Sequence, residues 1–157
     1  MEWTIPTDSS KHSCIVVAFA IACEISVDEF LQRLKQRGGP VKGTYHTQQC
    51  LDVVWDLGYA TMWIESDPLL IPNEGYQGEP ARILYPEGNR IRFMNYLRSL
   101  KGVLGGMRPK MGHAVAWDGV KIYDPRGYVY DYHDATRKPH EFYVNNFAAL
   151  VKVGKDE

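Results

Sequence analysis

Apolar positions recur at helical spacing up to about residue 100 and at strand-like spacing after it. The run from Cys14 to Cys23 is alanine-rich and free of Gly and Pro, which predicts a helix buried on nearly every side, with Ser10 or Ser13 near its start. Ser26-Val27-Asp28-Glu29 spells a capping box. Val27, Phe30, Leu31 and Leu34 then share one helical face, and Gly38-Gly39-Pro40 ends that helix. A third helix is expected from beyond Thr44 to Gly58, with Cys50, Leu51, Val54 and Leu57 as its stripe. The stretch from Pro68 to Gly88 is rich in breakers and reads as loop, with a short strand at Arg82–Tyr85. Asn89 is then expected to cap a helix carrying Ile91, Met94, Tyr96, Leu97 and Leu100.

After Gly102 the pattern predicts strands: one from Val103, one over His113–Trp117, then Val120–Asp124 and Tyr128–Tyr132. Further extended chain is expected near Glu141–Val144 and Ala149–Val153. Helices followed by consecutive strands indicate an α+β fold, N-terminal helices packed on a C-terminal antiparallel sheet.

At 157 residues the chain fits a single domain spanning 1–157 and is long enough to bury a core without metal or disulfide staples. Apolar residues make up 45% and charged residues 24%, as in globular proteins. A net charge of -1 with no basic run gives no reason to expect a nucleic-acid or anionic-membrane partner. Three cysteines, Cys14, Cys23 and Cys50, do not make a disulfide framework, so a reducing, cytoplasmic setting is expected. The Cys14–Cys23 run could pass for a signal-peptide core, but Glu2 and Asp8 beside a single Lys11 deny it the usual basic flank. It is also far shorter than a membrane span.

The stretch Gly112-His113-Ala114-Val115-Ala116-Trp117-Asp118-Gly119-Val120-Lys121-Ile122-Tyr123-Asp124-Pro125 carries the most chemistry. Asp118-Gly119 reads as the centre of a type I′ hairpin turn. Counting back from that turn pairs Trp117 with Val120 and sets His113 directly opposite Asp124, with Cβ atoms about 4.5–5.5 Å apart. A carboxylate so placed orients an imidazole and stabilises its protonated form. The same pair could equally be an ordinary cross-strand ion pair. Cys14, at the start of its helix, has the dipole and free N–H groups that favour a thiolate. Buried cysteine is also a common space-filler, and Cys23 and Cys50 are assigned to packing. His46 and Cys50 lack further ligands for a metal. His133 and His140, with Asp131 and Asp134, read as solvated loop residues. Trp63, Trp117 and Tyr128 are candidates to line a groove, and Gly105-Gly106 is too short for a phosphate loop.

Cys14 before an alanine-rich helix, Gly112-His113-Ala114-Val115, and Tyr123-Asp124-Pro125, in that order, resemble the papain-like cysteine peptidase superfamily. The likeness is greatest to its compact members, the bacteriocin-leader-processing peptidase domains and small phage or bacterial relatives. The resemblance implies a papain-like fold and a Cys14–His113–Asp124 triad. It also implies an oxyanion-hole position, usually glutamine, six residues before the nucleophile. That position is Asp8 here, and an ionised carboxylate only accepts hydrogen bonds. Ser13 and Ile15 flank the cysteine where the family usually has Asp or Asn before it and often Gly after it.

The resulting expectation is a thiol hydrolase acting on a peptide or protein substrate, with no metal or organic cofactor. The same three residues also serve acyltransferase, deamidase or transglutaminase-like chemistry, and Asp8 suits an inactive protein-binding module. The oligomeric state stays open.

Overall fold

In the computed structural model, which describes residues 3–38, 47–65 and 87–154 (the side chains of Ser10 and residues 87–92 apart), the alanine-rich run forms helix α1, Cys14–Ala22. Every residue from Val16 to Ala22 is buried, as a helix apolar on all sides requires. Helix α2, Val27–Gln36, starts where Ser26 Oγ accepts the Glu29 N–H at 3.1 Å. Helix α3, Thr47–Asp56, buries Cys50, Val53 and Val54.

A strand the apolar pattern did not predict comes next: β1, Tyr59–Glu65. Helix α4 spans Glu87–Ser99, so Asn89 lies within it rather than capping it. Then follow β2 (Lys101–Arg108), β3 (Met111–Trp117), β4 (Lys121–Asp124), β5 (Tyr128–Asp131) and β6 (Tyr143–Lys152). The two extended pieces expected at the C-terminus are thus one strand. Residues 39–46 and 66–86 lie outside the described residues, and with them Thr44, His46 and the strand expected at Arg82–Tyr85.

The fold is α+β: among the described residues, four helices and a six-stranded antiparallel sheet in the order β1-β6-β2-β3-β4-β5. Its two faces carry different layers. Val103, Ala114, Ala116, Ala148 and Leu150 pack with α1, α2 and α3. Leu104, Val115, Trp117, Ile122 and Phe147 pack with Phe93 and Leu97 of α4. Alternation along β3 therefore turns small alanines toward α1 and large side chains toward α4. Trp117 Nε1 donates to the Leu97 carbonyl at 2.7 Å, fixing the end of α4 to β3. No helix of the described residues is long and apolar enough to cross a membrane.

Candidate active site

The hairpin between β3 and β4 turns one residue later than the turn chemistry suggested, which moves the pairing register by two. Ala116 pairs with Tyr123 and Trp117 with Ile122, so His113 is not directly opposite Asp124. Asp118 N–H donates to the Lys121 carbonyl at 3.3 Å, which makes Gly119 and Val120 the central residues. Gly119, at φ 100°, takes the first central position, the one a type II′ turn reserves for glycine. Asp118 gains from standing outside the centre. Its Oδ1 accepts the N–H groups of Val120 (2.8 Å) and Lys121 (2.7 Å), and its Oδ2 accepts Tyr123 OH at 3.0 Å.

A shift of two residues keeps every side chain on its face. His113 and Asp124 become diagonal neighbours on one face, within reach of a long side chain. His113 Nε2 lies 2.9 Å from Asp124 Oδ1. Both side chains are withdrawn from solvent, at 6% and 0% exposure.

Cys14 reaches this pair from the other layer. The β3–β4 ladder holds only at Ala116↔Tyr123 and Trp117↔Ile122, so the strands are unpaired at the level of His113. The start of α1 meets β3 there, so Cys14 and Ile15 share the wall of one cleft with His113 and Ala114, and the backbone at Ala114 and Ile15 and the His113 imidazole act on the Cys14 thiol. Burial pushes the Cys14 thiol up, but His113 and those backbone groups outweigh it and the net shift is downward. For His113 burial pushes down, while Asp124 and Cys14 push up and prevail. The two opposite shifts favour a thiolate–imidazolium pair.

Asp124 is fully buried; burial raises its pKa, but His113 and Arg126 hold it below the usual carboxylate range. Arg126 donates its backbone N–H (3.0 Å) and Nε (3.1 Å) to Oδ1 and Nη2 (2.8 Å) to Oδ2. Tyr130 OH donates to Oδ2 at 2.7 Å. Neither residue was singled out from sequence; an arginine two residues after the aspartate, in Asp124-Pro125-Arg126-Gly127, was the available signal.

A cleft of about 410 Å³ opens at Cys14 and His113. Ile15 and Phe19 of α1, Val103 and Ala148 of the sheet, and Trp63 of β1 give it apolar walls, with Ser13, Thr47 and Asn146 as polar groups. Gly105 and Gly106 of β2 also line it. Of the three aromatic candidates, only Trp63 lines this cleft. Trp117 is core, and Tyr128 packs against the Arg126 guanidinium.

Asp8 is exposed, lies 3.4 Å from His12 Nε2 through Oδ2, and is not one of the cleft residues. Cys23 and Cys50 are buried in the core, and burial pushes each thiol up to about 12. His140 is not simply solvated: its ring stacks on Tyr130 at 3.7 Å and 16°, and its Nδ1 is buried without a hydrogen-bond partner. His133 is exposed. Asp131, His133 and Asp134 each bring one ligand-type atom within 4.8 Å of the others, but Asp131 is held by Lys121 (2.6 Å) and Asp134 by Arg137 (3.3 Å).

Neither a protein-family model nor a curated protein matches this chain.

Proposed function

We propose that this chain is a thiol-dependent hydrolase of the papain-like kind, a cysteine peptidase that cleaves a peptide or other amide bond. The observation that carries the reading is that Cys14 and His113 line one apolar cleft, with Asp124 2.9 Å behind the imidazole. A nucleophile at the start of a helix packed on a His-bearing antiparallel sheet supports the papain-like assignment.

In the proposed cycle His113 holds the proton that leaves Cys14, and the thiolate attacks the substrate carbonyl. The backbone N–H groups at the start of α1 stabilise the resulting oxyanion. As the C–N bond breaks, His113 protonates the departing amine, leaving a thioester on Cys14. Water then attacks that thioester with His113 as base, releasing the acid and restoring the thiol. An amine in place of water would give acyl transfer with the same residues. All three cysteines are unpaired, which suits a reducing, cytoplasmic setting.

The test is the pH dependence of iodoacetamide alkylation at each cysteine, read by peptide mapping in the parent and in His113→Ala. Cys14 is expected to react fast well below its ordinary pKa and to lose that reactivity without His113. Equal, slow reaction at Cys14, Cys23 and Cys50 would sink the reading.

A further inference from the structure

We propose that Arg126 is a positioning residue of this site: its guanidinium fixes the Asp124 carboxylate in one orientation and offsets part of its charge, so that His113 is oriented without being locked as imidazolium. The catalytic meaning of this inference rests on His113 serving as the base for Cys14.

Geometry carries the first half. The carboxylate is fully buried and accepts from His113, from three donors of Arg126 and from Tyr130. Nε and Nη2 engage different carboxylate oxygens, the fork that only a planar guanidinium makes. The guanidinium is anchored in turn: Nη2 donates to the His140 carbonyl at 3.2 Å and Nη1 to that of Pro139 at 3.4 Å. Turning the carboxylate would break several of these bonds at once.

Charge carries the second half. A buried aspartate with histidine as its sole partner would favour the imidazolium so strongly that His113 would give up its proton reluctantly. The base of the proposed cycle must both take and return a proton, so its pKa has to stay near working pH. Arg126 is a permanent cation on the same carboxylate and takes a share of its field. The other titratable groups around the pair are Cys14 from α1, Tyr130 from β5, and His140 before β6, with Asp134 acting on His140. Removing the Arg126 charge leaves Asp124 acting undiluted on His113, which stabilises the imidazolium.

The experiment is an NMR titration of the His113 ring in full-length Cys14→Ala protein, with Arg126 intact, Arg126→Gln or Arg126→Lys. The His113 midpoint is expected to rise by about one unit in Arg126→Gln. In Arg126→Lys, which keeps the charge and loses the fork, the rise should be less than half of that. Superimposable titrations of Arg126 and Arg126→Gln, or a downward shift, would overturn the proposal. A measurement on the parent stands beside these variants should Arg126→Gln not fold: the Arg126 Nε–H must be protected from solvent exchange, and a freely exchanging one refutes the clamp. Because Cys14 is absent from the titration, failure here is separate from failure of the hydrolase reading, which the alkylation profile decides.

Discussion

Ser13 stands at the N-cap of α1, immediately before the thiol, yet its side chain makes no capping hydrogen bond. It also lines the cleft, whereas Asp8, at the position where the resemblance places a donor, does not. An uncommitted hydroxyl beside the proposed nucleophile is suited to donate to an oxyanion together with the N–H groups of the first helical turn. Two reagents separate this role from thiol activation. Iodoacetamide is displaced at a saturated carbon and forms no oxyanion, whereas p-nitrophenyl acetate acylates through a tetrahedral intermediate. Ser13→Ala is expected to slow acylation of Cys14 about a hundred-fold, the lower end of the range for losing one such donor, while the alkylation profile stays that of the parent. Equal effects on both reagents would assign Ser13 to the helix rather than to the oxyanion. At this scale Cys14, His113 and Asp124 were legible as candidates, because a helix start marks Cys14 and a hairpin brings His113 to Asp124 by local rules, while the meeting of Cys14 with His113 is tertiary. Arg126 and Tyr130 were not, because the acceptor they share is fixed by the bend after β4 and by tertiary packing.

At the scale of elements, the sheet shows where local rules stop. The hairpin turn was located but its centre was misplaced, since Asp118 satisfies more donors from outside the centre than within it. Faces survived because the slip was even. Strand β1 was missed because its burial does not alternate: only Ile64 is buried, and Trp63 is exposed. Its place in the sheet comes from pairing with β6, from Tyr59↔Lys152 to Glu65↔Asn146, a partner some ninety residues away in sequence. Strand β2 is glycine-rich at a central position, which weakens a strand unless another backbone must come close. At Gly106 it must: an added Cβ would lie 2.0 Å from the Tyr143 carbonyl oxygen, beside the irregular register between β2 and β6. At Gly105 the obstruction at 2.5 Å is the Asn146 side chain, which can turn away. Gly106→Ala is therefore expected to cost about 3 kcal/mol in urea denaturation, the upper end for forced overpacking, and Gly105→Ala about 1 kcal/mol. Equal costs would mean that β6 yields as easily as a side chain does.

Across the whole molecule, three thiols of one chemical type are set apart by where the fold holds them. Cys14 meets a cleft and an imidazole; Cys23 and Cys50 lie among Val16, Phe19, Val53 and Val54 in the core between the helices and the sheet. The apolar periodicity of α1 and α3 made that division legible, whereas the extent of the core depended on β1 and on the layers assembled by long-range pairing. The buried pair has a consequence for stability in alkali. An unfolded cysteine loses its proton near pH 8.5, while in the folded protein burial pushes Cys23 and Cys50 up to about 12. Below the unfolded value both states hold the proton, and these thiols give stability no pH dependence. Above it the unfolded chain binds fewer protons than the folded one, so stability falls as pH rises, by roughly 1.4 kcal/mol per unit for each thiol, until the folded value is passed. Urea denaturation at pH 8 and pH 10.5 of the parent and of Cys23→Ala/Cys50→Ala measures this. The double variant should start lower at pH 8, through lost core volume. Between the two pH values it should then lose roughly 5 kcal/mol less than the parent, since neither alanine can ionise in the unfolded chain. If both proteins decline in parallel, alkali acts through other groups, and the burial of these two thiols does not govern their ionisation.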